Sequence, residues 1–161
     1  SKVIGNALIL ERIFNAPREL VFKAFSEAEH IKQWYGPRGY TLDVCTVDLR
    51  PGGAWHYCMK KVDEKPGDRR MWSKSIYQEI VVPEKIVQTT ESMSDEDGNI
   101  YPGMPEGVVT FTFEESEGKT KVISHTEYVS PEAIKTVMDM CMVDGFTQAW
   151  DKLAEQLENN N

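Results

Sequence analysis

The last stretch of the chain, Ser130 to Glu158, most limits what it can fold into; it reads SPEAIKTVMDMCMVDGFTQAWDKLAEQLE. Ile134, Met138, Cys141, Phe146, Ala149, Trp150, Leu153 and Leu157 recur at three- and four-residue steps, the period of one helix face. Ser130 suits an N-cap, Pro131 a first position that needs no amide donor, and Glu132 the positive end of the helix dipole. One helix of about 28 residues would run ~42 Å at ~1.5 Å per residue. A helix that long and that one-sided needs a broad apolar surface to lie on.

The rest of the sequence supplies strands for such a surface. Ala7 to Asn15 is apolar and β-branched, and Ala16-Pro17 ends it, because proline lacks a ladder donor. Leu20, Val21, Ala24 and Phe25 then fall at helical spacing, and Ser26 suits the cap of a second short helix carrying Ile31 and Trp34. Gly36-Pro37 stops it. Strands follow at Thr41–Leu49, Ala54–Lys60, Met71–Val82, Ile86–Glu91, Val108–Glu115 and Thr120–Val129, joined by Gly- and Pro-rich turns. Alternation puts Leu42, Val44 and Thr46 on one face, with Asp43, Cys45 and Val47 on the other. It groups Trp55 with Tyr57 and Met59, Val109 with Phe111 and Phe113, and Val122 with Ser124, Thr126 and Tyr128. Short turns imply antiparallel pairing, since a parallel pair needs a long crossover. The expectation is a single α+β domain over residues 1–161, its core about 8–157. A curved antiparallel sheet of about six or seven strands would lie under the terminal helix, with two short helices after the first strand.

Composition narrows the function classes. A chain of 161 residues with 40% hydrophobic residues can bury a real core, and a net charge of -8 repels phosphate backbones, so nucleic acid is not an expected partner. No apolar run approaches the ~20 residues of a membrane span and no leader pattern is present, which suggests the cytoplasm. Cys45, Cys58 and Cys141 are too few and too scattered for a disulfide framework or a zinc site, and read as small buried apolar groups.

Several segments resemble a known family. Arg12-x-Phe14-x-Ala16-Pro17, then Val21-Phe22-x-Ala24-Phe25-Ser26, resembles the opening of the SRPBCC, or START-like, superfamily, and Trp34-Tyr35-Gly36-Pro37 is similar to its aromatic-Gly-Pro segment. Asp48-Leu49-Arg50-Pro51-Gly52-Gly53-x-Trp55 resembles the turn of the group named for the activator of the heat shock protein 90 ATPase. Tyr77-x-Glu79-Ile80, Pro83 to Val87, and Gly145-Phe146-x-x-Ala149-Trp150-x-x-Leu153 match that group too. The resemblance covers about Leu8 to Leu157. It implies a helix-grip fold, a curved sheet gripping the C-terminal helix with a cavity between. Members include lipid carriers, ligand binders, cyclases and a co-chaperone domain, so the fold leaves the activity open. The eukaryotic co-chaperone carries a further N-terminal domain not seen in this chain, so a chaperone partner is not expected.

The candidate cavity residues are Trp34, Trp55, Tyr57, Tyr77, Phe111, Phe113, Ser124, Met138 and Met142, aromatic, Met and Ser side chains that would otherwise be plain core. The first half of the terminal helix, Ile134 to Val143, would form the adaptable cavity wall. Phe146 to Leu157 would be the anchor, with Gly145 between them. Glu79 shares a face with Tyr77; it is read as outward or paired with a cation, and inward it would be a rare buried carboxylate. His56 and His125 fall opposite the apolar stripes and read as surface groups rather than bases. Asp95-Glu96-Asp97-Gly98-Asn99 has Ile100 where a calcium loop has glycine, and reads as a solvated turn. Ser92 to Gly107 is expected to be a loop without secondary structure, either a lid or a passive insertion. The leading functional expectation is a binder of a hydrophobic small molecule, with no metal, no cofactor and no defined catalysis. A cyclase- or hydrolase-like enzyme using the same pocket and a stress-related, co-chaperone-like interaction module are the alternatives, and a homodimer is compatible with each.

Overall fold

A computed structural model describes residues 1–159. The chain opens on β1 (Lys2–Ile4) and β2 (Ala7–Phe14), followed by α1 (Arg18–Ser26) and α2 (Ala28–Trp34). Next come β3 (Tyr40–Val47), β4 (Ala54–Lys61), β5 (Met71–Val81), β6 (Lys85–Thr89), β7 (Ser92–Ser94), β8 (Gly107–Ser116) and β9 (Lys119–Tyr128), and the chain ends in α3 (Pro131–Asp139) and α4 (Met142–Asn159). All strand pairs are antiparallel, in the order β1-β2-β9-β8-β6-β5-β4-β3, with β7 also beside β5. This is an α+β helix-grip architecture. The described residues form nine strands rather than six or seven. The additions are the short β1 and β7, too brief for an alternation signal.

The inner sheet face follows the period-2 pattern closely. Thr120, Val122, Ser124, Thr126 and Tyr128 are all buried along β9, and Trp55, Tyr57 and Met59 along β4. Strand β3 departs from it. A bulge between Leu42 and Val44 shifts the pairing by one, so Cys45 faces Tyr57 and Val47 faces Trp55. Cys45 and Val47 therefore pack on the core, where unbroken alternation would have sent Val44 and Thr46.

The terminal helix does not cover the sheet alone. Val21, Phe22 and Phe25 of α1, and Ile31 and Trp34 of α2, share one core with Phe14, Phe113, Trp150, Leu153 and Leu157. Nor is that helix continuous. Ser130 caps α3 as expected, accepting from the Ala133 amide at 3.2 Å. The helix then stops at Met140, and Cys141 takes the left-handed conformation at φ 57 before α4 begins. That backbone disfavours L-residues, and neither Gly nor Pro marks the break. Cys141 is exposed, Cys45 half-buried and Cys58 buried, so the expectation of three buried cysteines holds fully for Cys58 alone.

Ser26 does not cap α2. Glu27 holds that position without a side-chain bond, while the Ser26 hydroxyl donates to Phe22 O at 2.8 Å.

Candidate functional site

The space between sheet and helices narrows to a pocket of about 100 Å³. Its apolar walls come from Phe25, Ile31, Trp34, Trp55, Phe111 and Trp150, and its α3–α4 side from Val137, Met142 and Phe146. Ser124, Thr126 and Gln88 present polar atoms from the sheet, and Tyr35, Glu91 and Tyr128 close one end.

Of the sequence candidates, Trp34, Trp55, Phe111, Ser124 and Met142 line this pocket together. Tyr57 stacks on Trp55 with ring centroids 4.6 Å apart and reaches the polar end through its hydroxyl. Tyr77 and Phe113 are core residues, 1% and 2% exposed, behind the lining. Met138 is 46% exposed and turned to solvent. The break at Met140–Cys141 explains this: α3 buries Ile134 and Val137, and the new start of α4 brings Met142 inward instead. The division of the helix at Gly145 into wall and anchor is likewise corrected, since lining residues run from Val137 through Phe146 to Trp150.

Glu79 lies outward with a 2.5 Å bond to Lys85, as expected. Arg12 pairs with Asp151 on α4, and Arg50 with Asp48. His125 is exposed, but His56 is only half-buried on the outer face, where it meets Ser94 Oγ and Asp95 O at 3.1 Å each and stands over Trp72. Ser92 to Gly107 is accordingly not structureless. It contributes β7, a bridge between Ser94 and Ile100, and a turn in which Asp95 accepts from the Asn99 amide at 2.8 Å. Pro105 of the same segment reaches the pocket.

The carboxylate inside the pocket is Glu91, which alternation places outward at the end of a strand. Buried Ile86 and Gln88 set the inner face of β6, so Thr90 should follow them inward. Instead Thr90 is held sideways. Its amide donates to Gly107 O at 3.0 Å, its hydroxyl to Pro105 O at 3.1 Å, and the Gly107 amide donates back to that hydroxyl at 3.0 Å. The strand breaks there and resumes as β7, and Glu91 turns inward. No local signal in Thr89-Thr90-Glu91-Ser92 marks this irregularity.

Two tyrosines meet Glu91. Tyr57 on β4 donates to Oε1 at 2.8 Å, and Tyr35 donates to the same oxygen. Tyr35 sits just past α2, where its amide still donates to Ile31 O at 3.0 Å and Gly36 takes φ 96. This is the aromatic-Gly-Pro segment, and it sets the Tyr35 ring edge-on to Trp55 at 4.7 Å. Burial pushes the Glu91 carboxyl up, against the pull of the two hydroxyls, which favour its charged form. Burial and the neighbouring carboxylate push Tyr35 and Tyr57 well up, and Tyr128 up to about 12. Tyr35, Tyr57 and Tyr128 thus stay protonated near neutrality, so any charge in this cluster is carried by Glu91.

A carboxyl raised in the folded state keeps its proton where the unfolded chain has lost it. Its contribution to stability is complete below its ordinary range and is lost as pH rises through its folded value. Glu91→Gln removes this loss. Thermal melts from about pH 4 to about pH 8 should show the variant gaining on the wild type as pH rises; a constant gap would mean that burial does not shift this carboxyl.

A family model described as activator of Hsp90 ATPase homolog 1-like protein matches residues 15–158. No curated protein matches the sequence. Among solved structures, a protein from Staphylococcus epidermidis is 24% identical, with 99% of this chain and 94% of that one covered at a TM-score of 0.83. One from Mycobacterium smegmatis is 24% identical, with 95% and 91% covered at 0.82, and one from Silicibacter pomeroyi is 24% identical, with 96% and 99% covered at 0.73. Likeness at this identity establishes the fold, and the chemistry has to be argued from the pocket itself.

Proposed function

The chain belongs to the family of activator of Hsp90 ATPase homolog 1-like proteins, and from that membership and its pocket we propose that it binds a small, largely apolar molecule between sheet and helices. The observation that carries this reading is the mixed lining. Aromatic and aliphatic walls supply the burial that drives uptake, and Glu91 with the hydroxyls of Tyr35 and Tyr57 supplies a polar point that orients what enters. The volume suits a ligand of one ring with a short chain. Drug-sized molecules fill pockets of ~300–1,000 Å³, well above this one.

A catalytic reading of the same pocket is favoured by one observation. Glu91 is a desolvated carboxyl raised in pKa and hydrogen-bonded by Tyr57 and Tyr35, the kind of setting that prepares a general acid or base. Binding is ranked first because it requires no reacting partner for that carboxyl.

Trp34, Trp55 and Trp150 border the pocket, so occupancy should change the intrinsic fluorescence. Propylbenzene is a suitable neutral probe. Ser124 points inward from β9 and is 6% exposed. Ser124→Phe should fill the space and abolish the propylbenzene response, with only a modest change in Tm. A saturable response that survives in a folded Ser124→Phe protein would put the binding elsewhere.

A further inference from the structure

The two hydrogen bonds to Glu91 converge on one oxygen. Tyr57 and Tyr35 both donate to Oε1, and among the described residues no hydrogen bond reaches Oε2. A carboxylate in a low-dielectric site is costly while an oxygen lacks a partner. Among the described residues Glu91 is also the one carboxylate on the lining, and none of those on the lining is Lys, Arg or His. Nothing there would neutralise an anionic ligand. Aromatic rings surround Glu91 instead: Tyr35 and Trp55 of the lining and Tyr57 behind them form one cluster with centroids 4.6–5.4 Å apart beside the carboxylate. Aromatic faces and a carboxylate both attract cations, and they do so more strongly away from water. The protein's net charge of -8 also raises the local concentration of cations near its surface.

We propose that the occupant of this pocket carries a protonated amine on a small apolar body, and that the ammonium pairs with Glu91 Oε2. The proposal rests on the binding reading above and sharpens it from a hydrophobic ligand to a cationic amphiphile. The body lies along Trp34, Phe111, Met142 and Trp150, and the ammonium sits at the Tyr35–Glu91–Tyr57 end. Fatty acids and phosphorylated molecules are disfavoured, because their charge would meet Glu91 with no cation on the lining.

The test compares four one-ring probes on the full chain by calorimetry: 2-phenylethylamine, 2-phenylethanol, 3-phenylpropanoate and propylbenzene. The amine should bind about tenfold tighter than the alcohol, the worth of one charge-assisted hydrogen bond, and the propanoate should bind most weakly. Glu91→Gln should remove the amine's advantage over the alcohol. If the amine and alcohol bind the wild type alike, or the advantage survives in Glu91→Gln, the amine assignment is wrong while the pocket reading stands. If no probe binds, propylbenzene included, the pocket reading falls and this one with it. Should Glu91→Gln fail to fold, the ranking of the four probes on the wild type decides alone.

Discussion

Phe25→Ala should lower the melting temperature by roughly 6–20 °C, at ~2–4 °C per kcal/mol for a chain of this size. Phe25 is where the helices and the sheet meet. Its ring lies 5.0 Å from Trp34, 5.5 Å from Phe111, 5.4 Å from Phe113 and 6.2 Å from Trp150, mostly in tilted or edge-on contact. These partners come from α2, β8 and α4, so one side chain ties three elements to α1. Replacing a buried Phe by Ala typically costs about 3–5 kcal/mol, the lost transfer energy plus the residual cavity. Several rings face the gap, and rings cannot all slide inward at once, which favours the upper part of that range. The gap would also join the pocket, because Phe25 is part of its wall. Propylbenzene should therefore recover part of the lost stability by occupying the enlarged space. A loss below about 1 kcal/mol in a chemical-denaturation series would mean that the helices are not held through this ring.

The contrast between what could and could not be read from the residues follows from how local each cause is. The alternation in Ala54–Lys61 and Lys119–Tyr128 is uninterrupted, so Trp55, Tyr57, Ser124 and Tyr128 were legible as inward side chains. The family's short segments were legible because each makes a sharp local feature. One is the turn at Arg50–Gly53; another is the stop after Trp34 that places Tyr35. Three features were not legible, and all are shifts of one or two residues. The bulge after Leu42 exchanges Val44 for Cys45 on the inner face. The left-handed Cys141 resets the helix phase, so that Met138 faces solvent while Met142, four residues on, stays on the lining. The strand break at Thr90 turns Glu91 inward, fixed by bonds to Pro105 and Gly107 fifteen and seventeen residues away. A period counted along the sequence assumes an unbroken element, and such breaks depend on contacts that the local sequence does not contain.

Gly53→Ala should be the other severe change, and Gly145→Ala should move stability the opposite way. A Cβ built on Gly53 falls 2.0 Å from Asp48 O and 3.0 Å from the Asp48 carbonyl carbon. Neither side can retreat easily. The Gly53 carbonyl accepts from the Tyr77 amide at 2.9 Å, the Gly52 amide donates to Tyr77 O at 2.8 Å, and the Gly53 amide donates to Arg50 O at 2.8 Å. Tyr77 is 1% exposed and fixed in the core, so the turn has to open at its hydrogen bonds. Overpacking of this kind costs about 1–3 kcal/mol, and each backbone bond given up adds ~0.5–1.5 kcal/mol. A Cβ on Gly145 meets nothing within 4 Å, and the residue lies inside α4. Alanine there should gain roughly 0.5–1 kcal/mol from helix propensity and a less flexible unfolded chain. Thermal melts of the pair separate space from conformation, because both variants make the same chemical change in one protein. If Gly53→Ala melts with the wild type, the turn is not clamped between Asp48 and Tyr77. If Gly145→Ala melts below it, the space beside α4 is closed to a methyl group, and the Met142–Phe146 side of the pocket is tighter than its geometry indicates.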